Sequence, residues 1–469
     1  MKPLNRPWLR AISTLLGAGL LTSCQASTPR GPTPGATSQC IVTDGASEPI
    51  VTIGIAQRID ASNAPVPRTP SERLVFRQLY ETLVSLDCNG AITPLIAENW
   101  EASEQGAVWR FRIREDVRYW DGSVVTARDI AESWAVRSDS VLPIAGITVL
   151  GERELRVTLQ SAIPGVERFA DPALAVARHM AGGWPLGTGK FRPEPGADPR
   201  MFRIVSVSPS AVIPLNRPRP DSMTWPRAIV FRAIGNDARA ALDARIDGVV
   251  TADPAPVEYS RALSYYNATP LGWTRTYVLG TRGAQRADSL SATPAAAEIA
   301  PVKEAIRADT RAAEPPFWWQ RAECVPATFS PVRTDTRNRN VVYPVNDPIA
   351  RGIAERLVAL AWPAARAPAW LRVRLGDYSA LGSPTAVGVD ERTLLQTMRT
   401  GRALAVVIAL PRPARSACIN ANDASSAALL GSWSVSPLLD AREYLIHRGA
   451  IGHIFVDGDG VIRFGAATR

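Results

Sequence analysis

The sequence predicts an α/β fold of two or three packed units, on three observations. Short β-branched runs alternate along the chain with segments of helical periodicity. From residue 341 to 410 the order is β-α-β-α-β, which implies a mainly parallel sheet. After a leader and tether, roughly 420 residues remain, more than one core ordinarily organises.

Residues 51–55 alternate and are β-branched, a strand. Leu74, Phe76, Leu79, Tyr80 and Leu83 then recur near helical spacing behind a capped start at residues 69–71. Residues 108–113 alternate again, a half-buried strand. Thr126 caps a helix running to Trp134, with Asp129 in the first turn, where the helix dipole favours a carboxylate. Strands follow at 155–159, 202–207 and 228–233, then a helix at 237–244 and a strand at 248–250. Residues 276–279 read as a short strand. The stretch 283–340 has little periodicity, with one short helix expected at 301–308. Beyond it come strand 341–344, helix 348–361, strand 371–375, helix 391–400 and strand 403–410. Residues 444–447 and 452–456 read as a hairpin turning at 457–460. No internal repeat is present.

The first forty residues carry an export signal. Lys2, Arg6 and Arg10 precede an apolar core at 11–21, too short to span roughly 30 Å of hydrocarbon. Leu21-Thr22-Ser23-Cys24 reads as a bacterial lipobox, with residues 1–23 as signal peptide and Cys24 as the lipidated thiol. The Pro/Ser/Thr/Gly-rich residues 24–47 are a flexible tether. The expected location is the extracytoplasmic face of the cell membrane, periplasmic side or cell surface.

Formal charge is +9, and the leader's three cations leave +6. Only Lys2, Lys190 and Lys303 are lysines among 53 basic residues, and no basic block of five or six exists, so the charge is a solvated surface and no nucleic-acid partner is expected. Once Cys24 is lipidated, Cys40, Cys88, Cys324 and Cys418 remain. In an exported chain an even number suggests disulfides, with three connectivities open. No two have zinc-ligand spacing.

From Tyr80-Glu81-Thr82-Leu83-Val84 to Trp134 the chain resembles the family-5 extracellular solute-binding proteins, the dipeptide/oligopeptide/nickel group of ABC importers. The residues that carry the likeness are Leu95-Ile96-Ala97-Glu98-Asn99-Trp100-Glu101, Trp109-Arg110-Phe111-Arg112-Ile113 and Trp120-Asp121-Gly122 through Thr126-Ala127-Arg128-Asp129-Ile130. Pro185-Leu186-Gly187-Thr188-Gly189-Lys190-Phe191 and Asn346-Asp347-Pro348 are similar to later family segments. The resemblance implies a two-lobed, periplasmic-binding-protein-like clamp (type II, peptide-binding cluster) with mixed sheets flanked by helices. Lobe one is expected at 48–272 with 441–469 returning to it, and lobe two, shortened, at 273–440. That assignment favours Cys40–Cys88 and Cys324–Cys418. It also implies a monomer that hands a small-molecule or peptide ligand to ABC permease subunits. A transport-inactive relative acting in envelope regulation or scaffolding is the alternative.

The matching residues build a lobe and do no chemistry. Gly187-Thr188-Gly189-Lys190 lacks the remaining glycine and the Ser/Thr of a phosphate loop and reads as a turn. Asp457-Gly458-Asp459-Gly460 lacks the distal ligands of a calcium loop. His179, His447 and His453 do not cluster and are expected at the surface or at edges; no nucleophile elbow exists. No enzyme, metal or cofactor is expected. Peptide-binding relatives place an acid after the late second-lobe strand; here that loop carries Arg412 and Arg415, whose forked donors suit carboxylate or phosphate. Trp273, Tyr277 and Trp433 fall near the expected crossings, where an aromatic ring could stack on a ligand.

Overall fold

Caps decide where the helices start. The computed structural model describes residues 40–43, 45–135, 142, 144–180, 183–194, 196, 198, 200–207, 225–235, 237–281, 300, 302, 338–376, 378–411, 433–449 and 451–465. Strands β1 (Ile41–Thr43) and β2 (Ile50–Ile55) lead to helix α1 (Pro70–Leu79). Thr69 opens α1 with a capping box: its hydroxyl accepts from the Glu72 N–H at 3.1 Å while the Glu72 carboxylate accepts from the Thr69 N–H at 3.2 Å. The same carboxylate takes the Asp60 N–H, the Arg68 N–H and the Asn63 amide, so one acid holds the whole loop between β2 and α1. The helix stops at Leu79, with Tyr80 already extended, so Leu83 lies beyond it.

Strands β3 (Val84–Leu86) and β4 (Ile92–Pro94) pair antiparallel. Next come β5 (Ala97–Ser103), β6 (Val108–Ile113), α2 (Ala127–Ala135), β7 (Ile144–Gly151) and β8 (Glu154–Leu159), the strands forming an antiparallel sheet in the order β5-β6-β8-β7. Along β6, Trp109, Phe111 and Ile113 are buried and Arg110 and Arg112 exposed, the alternation read from the sequence. Phe111 meets Phe169 edge-on at 4.7 Å in this core. Trp109 is buried, while Trp100 and Trp120 are partly so. Thr126 and Asp129 cap α2 reciprocally, and Gly122, at φ +86°, makes the tight turn after Asp121.

A ten-stranded mixed sheet runs through the rest. Its members are β2, β9 (Phe191–Glu194), β10 (Met201–Ser206), β11 (Ala228–Ala233), β12 (Gly248–Thr251), β13 (Asn267–Thr281), β14 (Asn340–Pro344), β15 (Thr385–Val389), β16 (Ala405–Pro411) and β17 (Ser434–His447). The order is β15-β14-β16-β13-β17-β12-β2-β11-β10-β9. Between them lie α3 (Ala238–Asp243), α4 (Pro254–Ala262), α5 (Pro348–Ala361), α6 (Ala369–Leu375) and α7 (Glu391–Thr400). As the sequence order implied, β14 pairs parallel with both β15 and β16.

Three sequence readings are corrected. The segment read as a strand at 371–375 is helix α6. Its Leu-Arg-Val-Arg-Leu alternation suits a strand, but Leu371 and Leu375 also stand four apart, and both are buried. Arg374 is buried too and donates to the Trp370 carbonyl one turn back and to the Ser436 hydroxyl, which an outward-facing strand residue would not do. The parallel strand of this region is β15, which the sequence reading missed. The short strand expected at 276–279 is the centre of β13, fifteen residues long. Residues 444–447 belong to β17, which pairs with β12 and β13; the hairpin that turns at Asp457 joins β18 (Ile454–Val456) and β19 (Ile462–Phe464). The expected helix at 301–308 lies almost wholly outside the described residues.

The Cys40–Cys88 disulfide is formed, with Cα atoms 5.5 Å apart. Beside it, Asp87 bridges to Asp457 and β1 pairs with β18, so the start of the described chain and its end share one corner. Cys24, Cys324 and Cys418 lie outside the described residues. Among the described residues no helix is long and apolar enough to cross a membrane.

Candidate cleft at the two long crossing strands

Register places the site. Strand β12 ends with Thr251 beside Tyr444 of β17, and β12, β2 and β11 all run parallel. On the far side, β16 ends with Pro411 beside Arg275 of β13, and β14 and β15 run parallel with β16. Both β12 and β16 are antiparallel to their long neighbours, β17 and β13, which are antiparallel to each other. The two parallel sets therefore point their carboxyl ends at one another. They converge on residues 271–275 of β13 and 441–443 of β17, where ladder register slips between Pro270 and Trp273 and again between Trp273 and Arg275. Carboxyl ends of parallel strands are where open α/β sheets take ligands, because the loops there diverge and leave a crevice. Leu271 packs in the core around β2, whereas Tyr277, six residues on, packs in the core under α5. Ala252, just past β12, reaches that second core as well.

Four polar side chains form a chain of contacts here. The Tyr277 hydroxyl lies 2.9 Å from both Asp347 carboxylate oxygens. Asp347 caps α5, taking the Ile349 and Ala350 N–H groups at 3.1 and 3.0 Å. Arg275, two residues before Tyr277 and on the same face, donates to Glu443 at 3.2 Å and stands beside the Tyr277 hydroxyl. Burial, then the Asp347 charge, push the Tyr277 phenol well above its ordinary value, so it stays protonated and donates to Asp347. Burial opposes the Arg275 charge, but Glu443, Tyr277 and Asp347 more than offset it and hold its pKa above the ordinary arginine value. On the opposite face, Thr276 donates to Asp440 at 2.6 Å.

The residues singled out from the sequence are only partly gathered. Tyr277 stands at the crossing but is fully buried, with its hydroxyl in the polar chain. Trp433 is core: it is 1 % exposed among Val278, Leu394 and Met398, and its indole N–H donates to the Met398 carbonyl at 2.8 Å. It offers no ring face to a cleft. Trp273 pairs through its backbone with Arg442 inside the bulged crossing. Arg412 and Arg415 lie outside the described residues; the strand they follow ends beside Arg275. Sequence reading missed Arg275 and Glu443, 168 positions apart, for which no local signal exists. Asp347 had one, the Asp-Pro start of a helix, though the sequence reading noted it only as part of the family likeness.

Other motifs prove structural. A Cβ on Gly187 would sit 2.2 Å from the Leu79 carbonyl and one on Gly189 2.4 Å from the Gln78 carbonyl, so this turn closes on α1 and cradles no phosphate. His447 is buried beside Thr269 in β17, which has neighbours on both sides, against the expectation of a surface or edge residue, and burial lowers its pKa. Asp457 and Asp459 face Arg77, and no metal-ligand cluster occurs among the described residues. An open concavity of about 560 Å³ on α7, lined by Arg392, Leu395, Gln396, Arg399 and Thr400, touches none of the crossing residues.

Residues 91–258 match the family model for the middle region of the bacterial extracellular solute-binding proteins, family 5. Over those residues the chain is similar to the family-5 solute-binding proteins. A nickel-binding periplasmic protein of Escherichia coli is 28 % identical over 143 residues, 26 % of this chain and 27 % of that protein. The periplasmic oligopeptide-binding protein OppA of Salmonella typhimurium is 40 % identical over 68 residues, 14 % of this chain and 12 % of that one. The matched stretches thus span about a quarter or less of these curated relatives. The crystal structure of NikA from Brucella suis in complex with Fe(III)-EDTA aligns over 87 % of this chain and 98 % of its own, with a TM-score of 0.58 and 14 % identity. That likeness shows the fold, a two-lobed periplasmic-binding-protein clamp with mixed sheets and helices.

Proposed function

We propose that this family-5 chain is the solute receptor of an ABC-type importer, tethered by lipid at Cys24 on the extracytoplasmic face, and that it captures its ligand without covalent chemistry. The lobes are 48–272 with 441–469, and 273–440. One observation carries the reading: two sets of parallel strands aim their carboxyl ends at the same short stretch of two crossing strands. A clamp that closes there buries its ligand against whatever polar groups line it. The relatives' names, nickel-binding and oligopeptide-binding, bracket the ligand range without choosing within it. Arg412 and Arg415, entering after β16, favour a ligand with carboxylate, phosphate or dense hydroxyl groups over a free dipeptide whose amine lies at that loop. The alternative, an envelope regulatory or scaffolding protein that has lost transport, draws on the mutual pairing of Arg275 with Glu443 and Tyr277 with Asp347, which needs no ligand.

Native mass spectrometry of the protein as purified, followed by calorimetry against neutral dipeptides, sugar acids, sugar phosphates and nickel, tests the proposal. A one-to-one small-molecule complex supports the receptor. Failure of every panel, with retained pull-down of an envelope protein, supports the alternative.

A further inference from the structure

The polar chain at the crossing has a rigid back and a loose front. At the back, α5 amides hold Asp347, Asp347 holds the Tyr277 hydroxyl, and that hydroxyl meets the Arg275 guanidinium. Each link is buried or packed on a regular element, so Arg275 is oriented before any ligand arrives. At the front its ionic partner is Glu443, through a single contact at 3.2 Å between one guanidinium nitrogen and one carboxylate oxygen. The two side chains are 27 % and 19 % exposed, at the place where the strand ends converge. A guanidinium carries five donors in a planar fork and binds an oxyanion best through two of them. The contact with Glu443 runs through one oxygen and does not use the paired fork.

Building on the solute-receptor reading, we propose that Arg275 is the oxyanion anchor of the cleft and that Glu443 is a built-in competitor, displaced when a ligand's carboxylate or phosphate takes the fork. The exchange leaves the local charge balance unchanged, because one anion replaces another. Glu443 also sets specificity. A neutral ligand cannot compensate the buried cation and leaves the pair closed, while an oxyanion that engages two donors gains over the one-oxygen contact it replaces. The acids facing Arg275 are Glu443 and Asp347; Asp347 is committed to Tyr277 and the helix start, so Glu443 is the one free to move aside.

The full chain is titrated by calorimetry with gluconate, with glucose 6-phosphate and with glucose, the first two separating a carboxylate from a phosphate ligand. Wild type is expected to bind at least one anion and not glucose. Arg275→Gln should weaken that anion by about a hundredfold, and Arg275→Lys, which keeps charge but loses the fork, by about tenfold. Glu443→Gln should tighten it by about threefold or more, since the competing charge is gone. Thermal melting checks folding; if Arg275→Gln does not fold, the Lys and Glu443 variants decide. Anion binding that is unchanged in a folded Arg275 variant, or weaker in Glu443→Gln, overturns the anchor. Binding of neutral dipeptides alone overturns the anchor and leaves the receptor standing. No binding across these and the dipeptide panel removes both.

Discussion

Arg77 fastens the end of the chain to α1, and removing it should cost more than any surface ion pair. Its side chain is 5 % exposed and contacts Asp457, 4 % exposed, at 3.0 Å and Asp459, 16 % exposed, at 3.1 Å. Arg463 stands farther from Asp457, at 3.8 Å, and Arg73 is 3.4 Å from Asp459 but 41 % exposed. Arg77→Met keeps the apolar stem and deletes the charge, leaving Asp457 to a distant partner. Breaking a buried pair from one side typically costs about 3–5 kcal/mol, most of it the uncompensated charge. Acid should relieve this. In the wild type burial raises the Asp457 carboxyl to about 6, whereas Arg77 and its neighbours keep Asp459 below its ordinary value. The two oppose each other: Asp457's contribution is full below its unfolded value and fades as pH rises through about 6, and Asp459's is present above its unfolded value and fades as pH falls. Without Arg77 both folded values climb, so the variant's penalty is largest at pH 8 and shrinks towards pH 4. The assay is denaturant unfolding at pH 8, 6 and 4.5, with amide exchange of residues 454–464 reporting hairpin opening. The exposed pair Arg110–Glu154 supplies a control through Arg110→Met, expected to behave as wild type. A folded Arg77→Met protein with unchanged exchange in the hairpin, or a deficit that widens in acid, refutes the reasoning.

Three further outcomes are expected. Peptide mapping without reductant should recover Cys40–Cys88, and replacing both cysteines by alanine should lower stability by about 3–4 kcal/mol, the chain entropy of a loop closed across 48 positions. Cys24→Ser should shift the protein from the membrane fraction to the soluble one or stall its processing; identical fractionation of both forms would remove the lipid anchor. Trp433→Ala should destabilise by about 3–5 kcal/mol while leaving ligand affinity in the folded fraction unchanged, since the ring fills core and faces no cleft. A selective loss of affinity would restore it as a cleft residue.

Most elements were readable where short-range signals agree. Asp390 before helix α7, Asp347-Pro348 before α5 and Thr69-Pro70 with Glu72 at α1 announce helices through caps that act within four residues. Alternation on β6 announces a half-buried strand because its two faces meet different solvents. Segment 371–375 misled because five residues fit both periods, and only the burial of Arg374 beside Trp370 and Ser436 breaks the tie. Long strands β13 and β17 were underestimated because they pass Pro, Gly and charged residues that end a strand on propensity alone; two flanking ladders hold them extended.

By itself the sequence announced an α/β chain with paired cysteines and a stretch that resembles the family-5 solute-binding proteins, since caps, periodicity and motif are all written in neighbouring residues. Where the cleft lies, and which groups line it, was decided only by tertiary structure. Arg275 meets Glu443, 168 positions away, because β13 and β17 pair along their length with register slips on either side of Trp273, and Tyr277 meets Asp347 because α5 starts against that same face. Such pairings depend on which strands become neighbours and how their bulges fall, and that is set by the packing of the whole sheet. For the same reason Trp433, an aromatic near a crossing on paper, became core. Just before β17 its ring packs against α7, where burial of its surface and a hydrogen bond to the Met398 carbonyl outweigh exposure to a ligand.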